Sequence, residues 1–286
     1  MAIHEQKYIS YDGPLKTGGA WWTFARMTFG MGIRLKRTWA MLVALWIPVM
    51  FTLVAVFLEY GARQKLPQLE QMLGSEGLGS GGLSFVLQLQ FFSAALLMML
   101  VGCGAIAEDL RYQTFQLYFS RPVERWEYLW GKFLGLAGLC SLVTLVPALL
   151  IGGLRASYFA RTELAAQAFQ QTAIGLAMSV GITVLVCSIV LGLSALTRRT
   201  GYAVLAFVGV LIVPQILSII VALSAESGEA SNLWSLPGNI WLATQFLVAE
   251  TAPEVPIFAP FAILVAVAAA GIYAMFWRVH KLEGIA

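Results

Sequence analysis

Ala107-Glu108-Asp109-Leu110-Arg111-Tyr112-Gln113-Thr114-Phe115-Gln116-Leu117-Tyr118-Phe119-Ser120-Arg121-Pro122-Val123-Glu124-Arg125-Trp126-Glu127-Tyr128-Leu129-Trp130-Gly131-Lys132 is the densest charged stretch of a 286-residue chain that is otherwise mostly apolar. Long apolar runs flank it, Phe85–Ala107 before and Leu129–Gly153 after. Each exceeds the ~20 residues that a helix needs to cross a bilayer. The stretch therefore reads as a short polar, aromatic-rich element pinned between two membrane helices.

Working outward, four more runs qualify, so that the six spans are about 41–60, 85–107, 129–153, 172–196, 202–223 and 257–277. Composition agrees. The chain is 59% hydrophobic and 12% charged, where a soluble domain is ~25% charged. A lipid-exposed backbone must satisfy its own hydrogen bonds, so these runs are helices. The fold class is an all-α membrane protein.

Lys and Arg set the orientation. Fourteen of the 18 fall on one side, in the N-terminal segment, in 111–132, at Arg198-Arg199 and at Arg278 and Lys281. Only Arg63, Lys65, Arg155 and Arg161 fall on the other. Both termini are expected in the cytoplasm. The net charge of +3 expresses this asymmetry and points to no nucleic-acid partner. The first 40 residues are polar or amphipathic and do not read as a cleavable signal.

The organisation divides into a polar N-terminal segment 1–19, an amphipathic helix 20–38 and a six-span transmembrane domain 39–286. At 100° per residue, Arg26, Arg34 and Arg37 share one face of 20–38, and Trp21, Phe24, Thr28, Met31 and Leu35 the opposite one. Together with Trp22 they make a helix suited to lie in the membrane interface; the alternative is a cytoplasmic extension of the first span. Spans four and five are joined by Thr197-Arg198-Arg199-Thr200, a tight turn. Before span six, Asn239 is a candidate N-cap for a helix of about ten residues. That is too short to cross, and Trp234, Trp241 and Phe246 favour its dipping into the outer interface over an ordinary packed loop.

Motifs of soluble chemistry are missing. The Gly131-Lys132 pair lacks the upstream glycine and the following Ser or Thr of a phosphate-binding loop. There is no HExxH, GxSxG or Cys/His cluster. Cys103, Cys140 and Cys187 lie in apolar runs and read as packing residues, and neither His4 nor His280 reads as a ligand. The span cores hold almost no charge, whereas ion-coupled transporters place charges there. No cofactor is expected on this chain, and the energy source should lie elsewhere.

The stretch 107–132 is a candidate receiver for that energy. Asp109 is placed to N-cap a helix running through Phe119. Pro122 disfavours helix in the residue before it and starts the next one. Glu108 and Asp109 are poised to pair with Arg111, Arg121 or Lys132. From the residues alone, a polar loop with interfacial aromatics is an equal alternative.

The pattern Glu108-Asp109-x-Arg111-x-x-Thr114, then Tyr118-x-Ser120-Arg121-Pro122-Val123-x-Arg125, then Tyr128-x-x-Gly131-Lys132 resembles the segment after the second span of ABC type-2 permeases, the membrane subunits of one class of ABC exporters. Gln113 stands where that family usually has Gly. The likeness implies a type V exporter fold with a cytoplasmic coupling helix over 110–121 and a short re-entrant outer helix before span six. It implies that Leu110, Arg111, Tyr112, Thr114, Phe115, Tyr118, Ser120, Arg121, Pro122 and Arg125 form the coupling surface. It also implies a separate ABC ATPase that carries ATP and Mg, a second permease subunit in a homodimer or heterodimer, membrane lipid around the spans, and a bacterial inner-membrane location. The rival reading is a mechanotransmitting or scaffolding subunit of an envelope complex that moves no solute.

Overall fold

The computed structural model describes residues 19–65, 80–114, 124–159, 165–224, 228–248 and 255–281. Helix α7 (Ala165–Leu196) organises the rest. In its most apolar window 61% of residues are buried, against 17% in α2 (Lys36–Lys65) and 11% in both α8 (Thr200–Ser224) and α10 (Phe258–Lys281). Those three present apolar side chains such as Phe51, Leu205 and Val265 outward. This is how helices facing lipid differ from one enclosed by protein. Around α7 pack α10, α6 (Leu145–Phe159), α3 (Ser80–Val101) and α5 (Arg125–Ser141).

Among the described residues, five helices are long and apolar enough to cross a membrane, and α5 with α6 makes a sixth if the bent pair is one span. The third expected run is therefore not one straight helix. It bends by 42° between Ser141 and Leu145. Pro147 explains the break: it has no N–H for the carbonyl of Val143, and its ring crowds that carbonyl. The second run also ends sooner than expected, at Val101 rather than Ala107. Gly102 there lies so close to Val190 and to the Met98 carbonyl that a side chain would clash. The fourth expected run is longer than expected and begins at Ala165.

The expected helix 20–38 is two helices. α1 (Ala20–Arg34) stops at Leu35, whose ψ of 120° takes the chain out of helix, and α2 starts at Lys36. The seat of α1 explains its length. α1 lies along α5, and a Cβ on Gly131 or Gly135 would meet α1 backbone atoms at 2.6–2.7 Å. Gly138 faces Phe29, and Gly32 of α1 faces Leu139. Small residues one turn apart thus let the two backbones touch. Gly32 is the last buried residue of α1, and the helix ends two residues later. Phe24, Ala25, Thr28 and Gly32 form the buried face. Met31, expected on that face, is exposed, as is Leu35.

After α8, a 3-10 helix (Gly228–Trp234) is tied back by the Ser218 hydroxyl, which donates to the Ser231 carbonyl at 2.8 Å. α9 (Leu236–Val248) follows, with Leu236, Ile240, Leu242 and Ala243 buried and α3 and α10 as its main neighbours. Its cap is Ser235, not Asn239: the Ser235 hydroxyl accepts from the Gly238 N–H at 3.1 Å. Asn239 lies inside the first turn and donates back to the carbonyls of Leu233 and Ser235. Pro237, which needs no N–H partner, occupies the first turn where Asn239 was expected to begin it.

Candidate functional site

The turn after α3 runs through 102–106 into a short helix, α4 (Ala107–Arg111). One hydroxyl from α7 fixes it. Ser194 Oγ accepts from the N–H groups of Ile106 and Ala107, both at 3.0 Å, and donates to the Cys103 carbonyl at 2.9 Å. That uses the full bonding capacity of a serine, in a residue with 0% exposure. Ser194, not Asp109, therefore satisfies the free amides that open α4. Asp109 already sits within the first turn, and its carboxylate has another partner. Ser194→Ala should leave two buried amides unbonded and cost about 1–3 kcal/mol. Ser157 is the control, since its hydroxyl is exposed and bonds only within its own turn. Thermal unfolding in detergent should place Ser157→Ala near wild type and Ser194→Ala well below it.

Asp109 and Lys132 form an ion pair, Oδ2 to Nζ 2.9 Å, in which the Lys132 side chain is buried, 3% exposed, and that of Asp109 is half-buried, 14% exposed. The Tyr128 hydroxyl donates to the same Asp109 oxygen at 2.6 Å, and Lys132 also donates to the Ala105 carbonyl at 2.9 Å. The Tyr128 ring packs edge-on against Phe24 of α1. Of the pairings expected for the acidic residues, the one between Asp109 and Lys132 is formed. Glu108 is exposed, with the Thr200 hydroxyl of α8 at 3.5 Å.

Glu127, to which the sequence reading assigns no role, serves two helix starts. Its Oε2 accepts from the N–H of Glu124, closing a capping box at the head of α5. Its Oε1 accepts from the N–H groups of Gly19 and Ala20 at 3.2 and 3.3 Å, at the head of α1. A carboxylate is favoured there twice over, by the unpaired amides and by the positive end of each helix dipole. Across the same end of the bundle, the Arg125 guanidinium lies 3.2 Å from His280 Nδ1, near the end of α10. Residues 19, 108, 125, 200 and 280 are thus gathered at one end.

The residues expected to face a partner separate clearly. Leu110 is core, 8% exposed. Arg111 and Tyr112 project outward, with the guanidinium 5.4 Å from the ring centre and Tyr112 66% exposed. Thr114 turns its hydroxyl back to the Asp109 carbonyl. Arg125 meets His280. Phe115, Tyr118, Ser120, Arg121 and Pro122 lie outside the described residues. On α1, Phe24 is buried and Trp21 half-buried, while Trp22, Arg26, Arg34 and Arg37 are exposed. The helix expected from 109 through 119 is interrupted by a turn at 112–113; Thr114 is helical again, and 115–119 lie outside the described residues. Gln113 adopts a φ of +56°, the left-handed region. A residue with a Cβ is disfavoured there by ~1–2 kcal/mol, and glycine is not. Gln113→Gly should therefore raise the unfolding temperature slightly, and a drop would show that its side chain matters more than its backbone.

Among the described residues no cluster of His, Cys, Asp or Glu suits a metal ion. All three cysteines are free and buried. The arrangement is a fastened turn with an exposed tip at one end of a bundle of membrane helices. The model of the family described as ABC-2 family transporter protein matches residues 22–269, from α1 into α10. The chain belongs to that family and is a membrane permease of the ABC transporter type. No curated protein matches it.

Proposed function

We propose that this permease is the membrane half of an ATP-driven exporter, with the segment 110–121 as its coupling helix. ATP and Mg bind to a separate ATPase subunit, and a second permease subunit completes the translocation path. The end that gathers residues 19, 108, 125, 200 and 280 faces the cytoplasm, together with both termini. α9 dips into the opposite interface as a re-entrant helix, and α1 lies in the cytoplasmic one. The observation that carries the reading is the attachment of α4: Ser194, Lys132 and Tyr128 tie its base to α7 and α5, while Arg111 and Tyr112 are exposed. An element that transmits force needs a stiff root and a free tip.

On this reading, Arg111, Arg121 and Arg125 make polar contacts with the motor, and Tyr112, Phe115 and Tyr118 fill its cleft. The test is co-purification with the ATPase encoded beside this chain, for wild type, Tyr112→Ala, Phe115→Ala and Arg121→Ala. The ATPase should come down with wild type. In the variants it should be lost, or its ATP turnover should no longer respond to the permease. Full association and full response in all three variants would overturn the assignment of 110–121.

A further inference from the structure

Far from the fastened turn, a cavity of about 60 Å³ lies between α2, α3, α6 and α7. Its walls are mostly apolar, Val86 and Ile151 among them, but two glutamines line it. Gln90 is 3% exposed and Gln171 5%. Gln90 Nε2 and Gln171 Oε1 have no hydrogen-bond partner among the described residues. The other end of the Gln90 amide meets Ser179 Oγ at 2.8 Å, and that hydroxyl also lies 2.7 Å from the Gly175 carbonyl. One hydroxyl proton serves one of those two contacts, so the amide can face Ser179 with either end. In both orientations one end of Gln90 stays unbonded. Arg155 lines the same cavity and has an interaction of its own; of the residues that line the cavity, the buried side-chain atoms without a partner are those of the two amides.

A buried amide group left unbonded is costly, and an occupant would remove that cost. Water alone fits poorly. The space holds about four waters at ~15 Å³ each, but most of its lining is apolar; its polar side chains are Thr52, Gln90, Arg155, Gln171 and Thr172, and both threonine hydroxyls are turned to helix carbonyls. Val86, Ile151 and Thr172 are each partly exposed, and the neighbouring Phe85 and Leu149 face outward. The cavity therefore opens onto the apolar flank of the bundle. A hydroxyl both donates and accepts, and so matches either orientation of the amides. We propose that this cavity binds the hydroxyl head of an uncharged amphiphile that enters from the bilayer, its chain leaving along the apolar wall. The proposal concerns a single permease chain and does not depend on which motor drives it.

The test uses the full chain, purified in detergent, and a decanol that carries a diazirine. After irradiation, adducts are mapped by mass spectrometry. In wild type, adducts on cavity residues such as Val86 and Ile151 should exceed those on the outward face of α8, and excess decanol should displace them. Decane and decanoate should compete at least about tenfold less well, the factor that one or two hydrogen bonds supply. The double variant Gln90→Leu, Gln171→Leu should lose cavity adducts about tenfold and keep those on α8. Gly175→Leu should lose them with both amides intact, because a Cβ there points 3.3 Å from the tip of Leu83, which also lines the cavity. Cavity labelling no greater than that on α8 would overturn the proposal and leave water as the occupant. Equal competition by decane would overturn the role of the amides, and stronger competition by decanoate would overturn the uncharged head. Those two comparisons need only wild type, so they decide the matter even where a variant fails to fold.

Discussion

Lys132→Met is expected to destabilise the protein by about 3–5 kcal/mol, because it strands the Asp109 carboxylate, 14% exposed, without its cation. The loss is not that of a surface ion pair, which is worth ~1 kcal/mol or less. Lys132 has only 3% of its side chain exposed and holds both Asp109 and the Ala105 carbonyl. Tyr128 still donates to Asp109 in the variant, but one neutral hydroxyl does not offset a largely desolvated charge. The double variant Asp109→Asn, Lys132→Met removes both charges and should recover most of the stability. Unfolding monitored by thermal melting in one detergent, on all three proteins, is the measurement. If Lys132→Met melts close to wild type, the pair is not desolvated in the way described.

Gly271→Ala is expected to cost about 1–3 kcal/mol, toward the upper end, through overpacking alone. The reason is the crossing of α7 and α10, where Gly192 and Gly271 face each other. A Cβ on Gly271 would fall 2.4 Å from the Ser188 carbonyl oxygen, and one on Gly192 would fall 2.6 Å from the Gly271 carbonyl oxygen. Both obstacles are backbone, so no rotamer change relieves them, and the two helices must move apart. Gly209 of α8 is the control, since a Cβ there meets nothing within 4 Å. Gly209→Ala should be neutral or mildly stabilising, as alanine outranks glycine in a helix. Equal melting of the two variants would remove this crossing as the element that holds α10.

The helices are legible in the sequence and their ends are not, for different physical causes. An apolar run of bilayer length announces itself by composition, so α2, α3, α7, α8 and α10 follow directly. The α5–α6 bend depends on which of several prolines breaks its helix. Pro48 and Pro214 lie inside continuous helices, while Pro147 sits at a break, and only the packing around them separates the cases. The charge density of 107–132 is plain in the sequence, and Lys132 is among the partners its acidic residues suggest. Ser194 and Glu127 are not legible in the same way. A lone serine in an apolar run is ordinary in a membrane helix, and its role appears only when the turn from α3 is seen against it. Glu127 lies three residues after Glu124 in a recognisable capping pattern, but its second duty, at the head of α1, joins residues 108 positions apart. No local pattern carries that. Gln113 is the reverse case, where the departure from the glycine usual in the family falls on a left-handed backbone position.

The separation between α1 and its seat has a consequence for biogenesis. The glycine groove and the capping carboxylate that receive α1 lie about a hundred residues downstream of it, with Gly19 and Glu127 108 apart. At a synthesis rate of about 5–20 residues per second, α1 waits roughly 5–20 s after it emerges before its partner exists. Through that interval Phe24 and Trp21, buried and half-buried in the folded protein, have no protein surface to cover them. An amphipathic helix can spend the wait on the bilayer surface, so the same pattern of arginines and aromatics that suits α1 to its final position also shelters it as a nascent segment.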